Sequence, residues 1–142
     1  MKNQKRILVV LVSCLMFSMI LIPCASAELI ILPRSSEMIK ISSVQATPLG
    51  GGRIDTQATI ESTYVVDSLG FSYIRLQELQ GSTWTTVKSV SSKYASNTSR
   101  YTYTFTYYGT PGSKYRAQAG FYVSDGADTE TSSKTSSQIT CY

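Results

Sequence analysis

The chain contains no histidine. That absence removes every Ser-His-Asp or Cys-His catalytic arrangement and every His-ligated metal site. Cysteine is scarce, with three in 142 residues: Cys14, Cys24 and Cys141. Charge is scarce as well. Charged residues make up 15% of the chain, against about 25% in an ordinary soluble protein. Arg75, Lys88, Lys93, Arg100, Lys114 and Arg116 are spaced along the chain without a run, and no cofactor is expected. A formal charge of +4 still invites a nucleic-acid or membrane reading, and where that charge sits decides its meaning.

What is present begins at the amino end. Lys2, Lys5 and Arg6 precede an apolar run from Ile7 to Ile22, and Pro23 and Ala25-Ser26-Ala27 follow. A basic start, an apolar middle and a small-x-small end are the three parts of a secretory signal peptide. Residues 1–27 therefore read as a helical signal peptide cleaved between Ala27 and Glu28, and the protein as secreted and extracellular. The apolar run has 16 residues, short of the roughly 20 that a membrane helix needs. No stable span is expected after cleavage. Two alternatives stay open: an uncleaved signal anchor, or lipidation at Cys24. Leu21-Ile22-Pro23-Cys24 resembles a bacterial lipobox, but Pro23 stands where that motif takes a small residue.

Cleavage leaves 115 residues, with ten basic and nine acidic side chains. The balance becomes +1, which gives nucleic-acid binding little electrostatic support. Cys141 remains alone, so no internal disulfide is available. It reads as a free thiol on a frayed tail or as the site of an intermolecular disulfide. Leu, Ile, Val and Phe number 23, about the one-fifth share at which disorder becomes a question. The low net charge argues against disorder. Ten tyrosines and Trp84 supply large buriable surfaces instead, and Tyr and Thr favour strands.

The pattern along the chain is that of strands. Residues 28–37 read as a leader, a linker or an edge strand, and Met38 to Val44 as the first core strand. Thr47 to Gly52 is a turn rich in glycine. Ile54, Thr56, Ala58, Ile60 and Ser62 alternate with polar residues, the period of a half-buried strand. Asp67 to Gly70 reads as a loop and Phe71 to Leu79 as a strand, with Ile74 and Leu76 on one face and Arg75 and Gln77 on the other. Gln80-Gly81-Ser82 is a hairpin turn, Trp84 to Val90 returns, and Ser91 to Thr98 reads as a polar loop. Tyr101, Tyr103, Phe105 and Tyr107 then alternate strictly with threonines. After Gly109-Thr110-Pro111-Gly112, Tyr115, Ala117, Ala119, Phe121 and Val123 share a face. Asp125-Gly126 turns the chain into a polar final strand, Thr129 to Thr140. About seven strands and no convincing helix predict an all-β domain over residues 38–142, an antiparallel β-sandwich.

Pro111-Gly112-Ser113-Lys114-Tyr115-Arg116 resembles the entry to strand F of fibronectin type III domains. That resemblance implies a tyrosine corner at Tyr115 and an Ig-like sandwich. With no B–F cysteine pair, a true immunoglobulin domain is not expected. Over about residues 38–135, Leu76-Gln77, the run Gly81 to Ser89, Tyr115-Arg116 and Glu130-Thr131-Ser132 resemble a family of small secreted Gram-positive bacterial proteins of unknown function. That resemblance implies export and a β-domain, and it supplies no site.

Chemistry-bearing groups are few. Tyr101, Tyr103, Tyr107 and Tyr108 suggest a sugar-stacking platform, but strict alternation places the first two in the core. Tyr107 and Tyr108 cannot both point inward. Tyr107, Tyr108 and Tyr122 are therefore the candidate surface binding residues, and Trp84 is expected to pack across the sandwich. Asp125, Asp128 and Glu130 lack the spacing of a calcium loop and read as a solvated turn, so no metal is expected. Asn97-Thr98-Ser99 satisfies a glycosylation sequon. Glu61, Asp67 and Glu78 are the carboxylates open to hydrolytic work, with no identifiable pair. The expectation is a non-catalytic binding module at or near the cell envelope, with a cell-wall glycan or an exported protein as partner. A small secreted enzyme or enzyme inhibitor, and a processed extracellular effector, are the alternatives.

Overall fold

A computed structural model describes residues 37–142. The expected signal peptide, the Ala27–Glu28 cleavage point, Cys24 and all of the 28–37 leader but Glu37 lie outside the described residues. Six antiparallel strands follow in order: β1 (Ile39–Gly50), β2 (Arg53–Gln80), β3 (Thr83–Tyr108), β4 (Lys114–Asp125), β5 (Asp128–Thr135) and β6 (Ile139–Thr140). The expected all-β, antiparallel class is what the chain adopts. Among the described residues no helix is long and apolar enough to cross a membrane.

The count of six arises because two strands run through expected loops. β2 has 28 residues and β3 has 26, well beyond the usual 3–10. Asp67–Gly70 and Ser91–Thr98 are not loops: Ser68 faces Ser96, Leu69 faces Ala95, Gly70 faces Tyr94 and Phe71 faces Lys93 in a continuous ladder. Gly70 permits this approach, since a Cβ there would lie 2.0 Å from the Lys93 carbonyl oxygen. At the end of the chain the opposite happens. The expected strand Thr129 to Thr140 breaks into β5 and β6, with Ser136 turned to hold Ala117 through its backbone and its hydroxyl.

Each long strand works in two halves. Residues 53–61 of β2 pair with β1 and with residues 100–108 of β3. Residues 66–80 pair with residues 83–98 of β3, and 68–78 of them with β4. The halves meet at a bulge, where Ser62 to Val65 of β2 oppose Ser99 alone. Ser62 is buried there, and its hydroxyl donates to the Tyr64 and Ser99 carbonyls. A bulge bends its strand and increases the local twist. Here the single sheet of six strands curls until both halves of β2 face one core. Ile54, Ala58 and Ile60 reach that core from the first half, and Leu69, Phe71, Ile74 and Leu76 from the second. β4 adds Tyr115, Ala117, Ala119, Phe121 and Val123, the face that its alternation predicts. At about 25 cal/mol per Å2 of apolar surface, such burial is the main favourable term.

The seams of the curled sheet are closed by side chains. Along the free edge of β3, Lys88 and Lys93 point inward. The Lys88 ammonium donates to the Thr106 carbonyl at 3.0 Å and sits 5.3 Å from the Phe105 ring centre. Lys93 lies 5.5 Å from that of Tyr103. Inward charges on an edge strand oppose pairing with a second chain. At the other seam Glu130 accepts from the Met38 and Ile39 amides at 2.6 and 3.0 Å.

Residues 139–142 are stitched down, not frayed. The Tyr142 carbonyl accepts from the Gly52 amide, the Cys141 carbonyl from Gly112, and the Cys141 amide donates to Ser113. Gly51 and Gly52 make this possible by closing the β1–β2 hairpin with φ of +61° and +78°, the left-handed pair that a two-residue turn demands.

Candidate functional site

The second half of the sheet has an outward face with a chemistry of its own. Because Ile74 and Leu76 are buried, alternation sends Tyr73, Arg75 and Gln77 outward. The register then fixes their neighbours. Leu79 faces Trp84, and Gln77 lies between Thr86 and Arg116. Arg75 lies between Ser89 and Gln118, and Tyr73 between Ser91 and Gly120. Gly70 lies between Tyr94 and Tyr122. On β5, Thr131, Ser133 and Thr135 continue the rows of Tyr122, Gly120 and Gln118.

These side chains hold one another. The Arg116 guanidinium lies 4.4 Å from the Trp84 ring centre, and its Nε donates to Gln77 Oε1 at 2.9 Å. The Arg75 guanidinium lies 4.3 Å from the Tyr73 ring centre. Tyr94 and Tyr122 meet edge to face, with centroids 5.3 Å apart. Glycines leave room for the rings: a Cβ at Gly120 would come within 2.6 Å of the Tyr73 ring. Guanidinium over an aromatic face is an attractive pairing; Arg75 is exposed and Arg116 half-buried. Among the described residues, ion pairs form between Lys40 and Glu61, Arg53 and Asp55, and Arg100 and Glu61. Arg75 and Arg116 belong to none of them.

The three candidate tyrosines do not form one surface. Tyr107 turns inward, packs against the core and approaches Tyr115 at 6.1 Å. Tyr108 is 72% exposed, at the end of β3 opposite Arg53. Tyr122 alone joins the outward face. Trp84 is half-buried on that face; contrary to the expectation from sequence it does not pack across the core, because its register partner is Leu79 of the outward row. Tyr94, 45% exposed, was concealed by the expected loop around it.

The carboxylates open to catalysis are held apart by separate partners. Glu61 contacts Lys40 and Arg100, and the Lys40 ammonium holds its carboxyl below the usual range. Asp67 accepts from the Gly126 amide at 2.9 Å. Glu78 accepts from the Tyr115 hydroxyl at 2.8 Å, and this bond holds its carboxyl below the usual range likewise. Glu130 is occupied by the Met38 and Ile39 amides, and among the described residues no group of three His, Cys, Asp or Glu side chains is arranged for a metal. A cleft of about 350 Å3 opens between Ser43–Ala46 of β1 and Ser136, Ser137 and Ile139. Its lining carries no titratable side chain. Asn97 is exposed in a left-handed conformation, φ +52°. Cys141 is buried, its Sγ 3.4 Å from the Gly52 carbonyl. A disulfide to a second chain would first have to peel residues 139–142 from that seam.

No family model and no curated protein matches the chain. Among solved structures, a protein from Archaeoglobus fulgidus is similar with a TM-score of 0.40 and 11% identity, over 73% of this chain and 98% of that one. A sporulation control protein from Bacillus subtilis is similar with a TM-score of 0.38 and 7% identity, over 67% of this chain and 46% of that one. This chain thus spans less than half of the sporulation protein, and at these scores neither likeness bears on function.

Proposed function

We propose that the chain is an exported, non-catalytic binding module that works at or near the bacterial cell envelope, with cell-wall glycan as its partner. The observation that carries this reading is the outward face of β3, β2, β4 and β5. There two guanidiniums and four aromatic rings lie among serine, threonine and glutamine side chains. Such a face offers ring surfaces for sugar C–H groups and many donors for hydroxyls. Export is supported by Lys2, Lys5, Arg6, the Ile7–Ile22 run and Ala25-Ser26-Ala27. Membership of the small secreted Gram-positive family goes with this reading.

The architecture belongs to the same proposal: an Ig-like sandwich of fibronectin type III kind. Two features support it. β2 and β3 each serve both halves of the sheet, so eight strand segments result where they bend, the two-residue β6 included. The Tyr115 hydroxyl also accepts from the backbone amide of Thr110, five residues upstream, as a tyrosine corner does.

The test is retention on purified cell-wall fragments. Secreted protein is expected to bind them, and Trp84→Ala with Tyr122→Ala to pass through while remaining folded. Equal retention of both proteins, or of neither, would refute the reading.

A further inference from the structure

We propose that Arg75 and Arg116 read carboxylates on an extended acidic glycan laid along the outward face; this rests on the reading of that face as the envelope-binding surface. The whole-chain charge conceals the feature. Averaged over the mature length the balance is only +1, yet two guanidiniums share one face without a carboxylate partner among the described residues.

Both are pre-positioned. Arg116 is fixed in plane by Trp84 beneath it and by Gln77 at its Nε. Its two Nη groups remain as a fork, the shape that matches a carboxylate bidentately. Arg75 is exposed and laid over Tyr73. The pair sits diagonally across β2 and β4, since Gln77 faces Arg116 and Arg75 faces Gln118. Diagonal neighbours are about 7–8 Å apart at their backbones, and the side chains splay from there toward Trp84 and Tyr73. Such spacing gives single positive charges at intervals, not one concentrated anion pocket, and so matches a polymer with one carboxylate per sugar.

The rest of the face fits a chain of sugars. From Gly70 to Leu79 the strip runs about 30 Å along β2. Tyr94 and Tyr122 offer ring edges and faces at one end, and Trp84 lies at the other. Ser89, Gln118 and Thr135 share the row of Arg75, Ser91 and Ser133 lie in the adjoining row of Tyr73, and all supply partners for hydroxyls.

The experiment compares three soluble polymers with the secreted protein: polygalacturonate, the same polymer with its carboxylates reduced to alcohols, and polyphosphate. Polygalacturonate is expected to bind about tenfold or more tightly than the reduced polymer. Arg75→Gln and Arg116→Gln should each remove most of that difference, with melting temperatures close to that of the parent. Arg116→Lys keeps the charge but loses the fork and the stacking, and should not restore binding. Equal binding of the reduced polymer overturns the carboxylate assignment while leaving the glycan reading intact. Tighter binding of polyphosphate, or full recovery with Arg116→Lys, also overturns it. No binding of any polymer together with no retention on cell-wall fragments would remove both.

Discussion

The Tyr115 hydroxyl donates to Glu78 at 2.8 Å while it accepts from the Thr110 amide at 2.9 Å. One buried ring thus ties the β3–β4 connection to β2. Tyr115→Phe keeps the ring and removes both bonds, leaving the partly buried Thr110 amide unpaired. A loss of about 1–3 kcal/mol in unfolding free energy is expected, read from urea or thermal unfolding. The close contact of Gly109 with the Tyr115 ring, 2.7 Å from a Cβ placed there, makes Gly109→Ala a second way to displace the same hydroxyl.

The pair also sets a pH dependence. The Tyr115 hydroxyl bond holds the Glu78 carboxyl below its ordinary value of 4.5. A carboxyl depressed in the folded state contributes stability that is present above that value and is lost as pH falls through the folded one. Glu78→Gln should therefore flatten the acid limb of a stability–pH curve below about pH 4.5. Part of the limb will remain, since Asp55 is lowered by Thr106 and Arg53 and Glu61 by Lys40. At the alkaline end, burial raises the Tyr115 hydroxyl above 10.0. Its contribution is complete below that pH and is lost as pH rises through the folded value.

Gly70 and Gly120 look alike in sequence and differ in the structure. A Cβ at Gly70 meets backbone, the Lys93 carbonyl at 2.0 Å and the Tyr94 Cα at 2.7 Å. At Gly120 it meets the Ser72 hydroxyl and the Tyr73 ring, which can move. Gly70→Ala should cost more than about 3 kcal/mol or prevent folding, whereas Gly120→Ala should cost about 1–2 kcal/mol. Parallel denaturant titrations decide it, and equal costs would contradict the close approach of β2 and β3 at Gly70.

Cys141 has 1% of its surface exposed, and its sulfur sits against the Gly52 carbonyl. A thiol reagent should label it slowly in native protein and rapidly in denaturant. The protein should run as a monomer on a non-reducing gel. Rapid native labelling would show that residues 139–142 leave the seam readily.

Much of this was legible in the sequence, and the reason is period. Ile54 to Ser62, Tyr101 to Tyr107 and Tyr115 to Val123 alternate cleanly, and each is a strand with the expected buried face, Tyr101, Tyr103 and Tyr107 being half-buried. Asp67–Gly70 and Ser91–Thr98 read as loops because composition alone was informative there. Their pairing is long-range and depends on Gly70 admitting the β3 backbone. The site was legible only in fragments. Arg75 and Gln77 were assigned to one face, yet the partners that make it a surface, Trp84, Arg116, Tyr94 and Tyr122, arrive through register. Pairing offset by one residue would turn each of them to the other side. Tyr107 and Tyr108 are adjacent in sequence, and alternation alone sends them apart.

The proposed ligand site is the outward face of β2, β3, β4 and β5. The most direct measurement is an NMR titration of isotope-labelled protein with soluble cell-wall polysaccharide. Shift changes should concentrate on the Arg75 and Arg116 side chains, the Gln77 amide and the Trp84 indole. Changes confined to Tyr108, to the cleft between Ser43 and Ser136, or to no residue at all would contradict it.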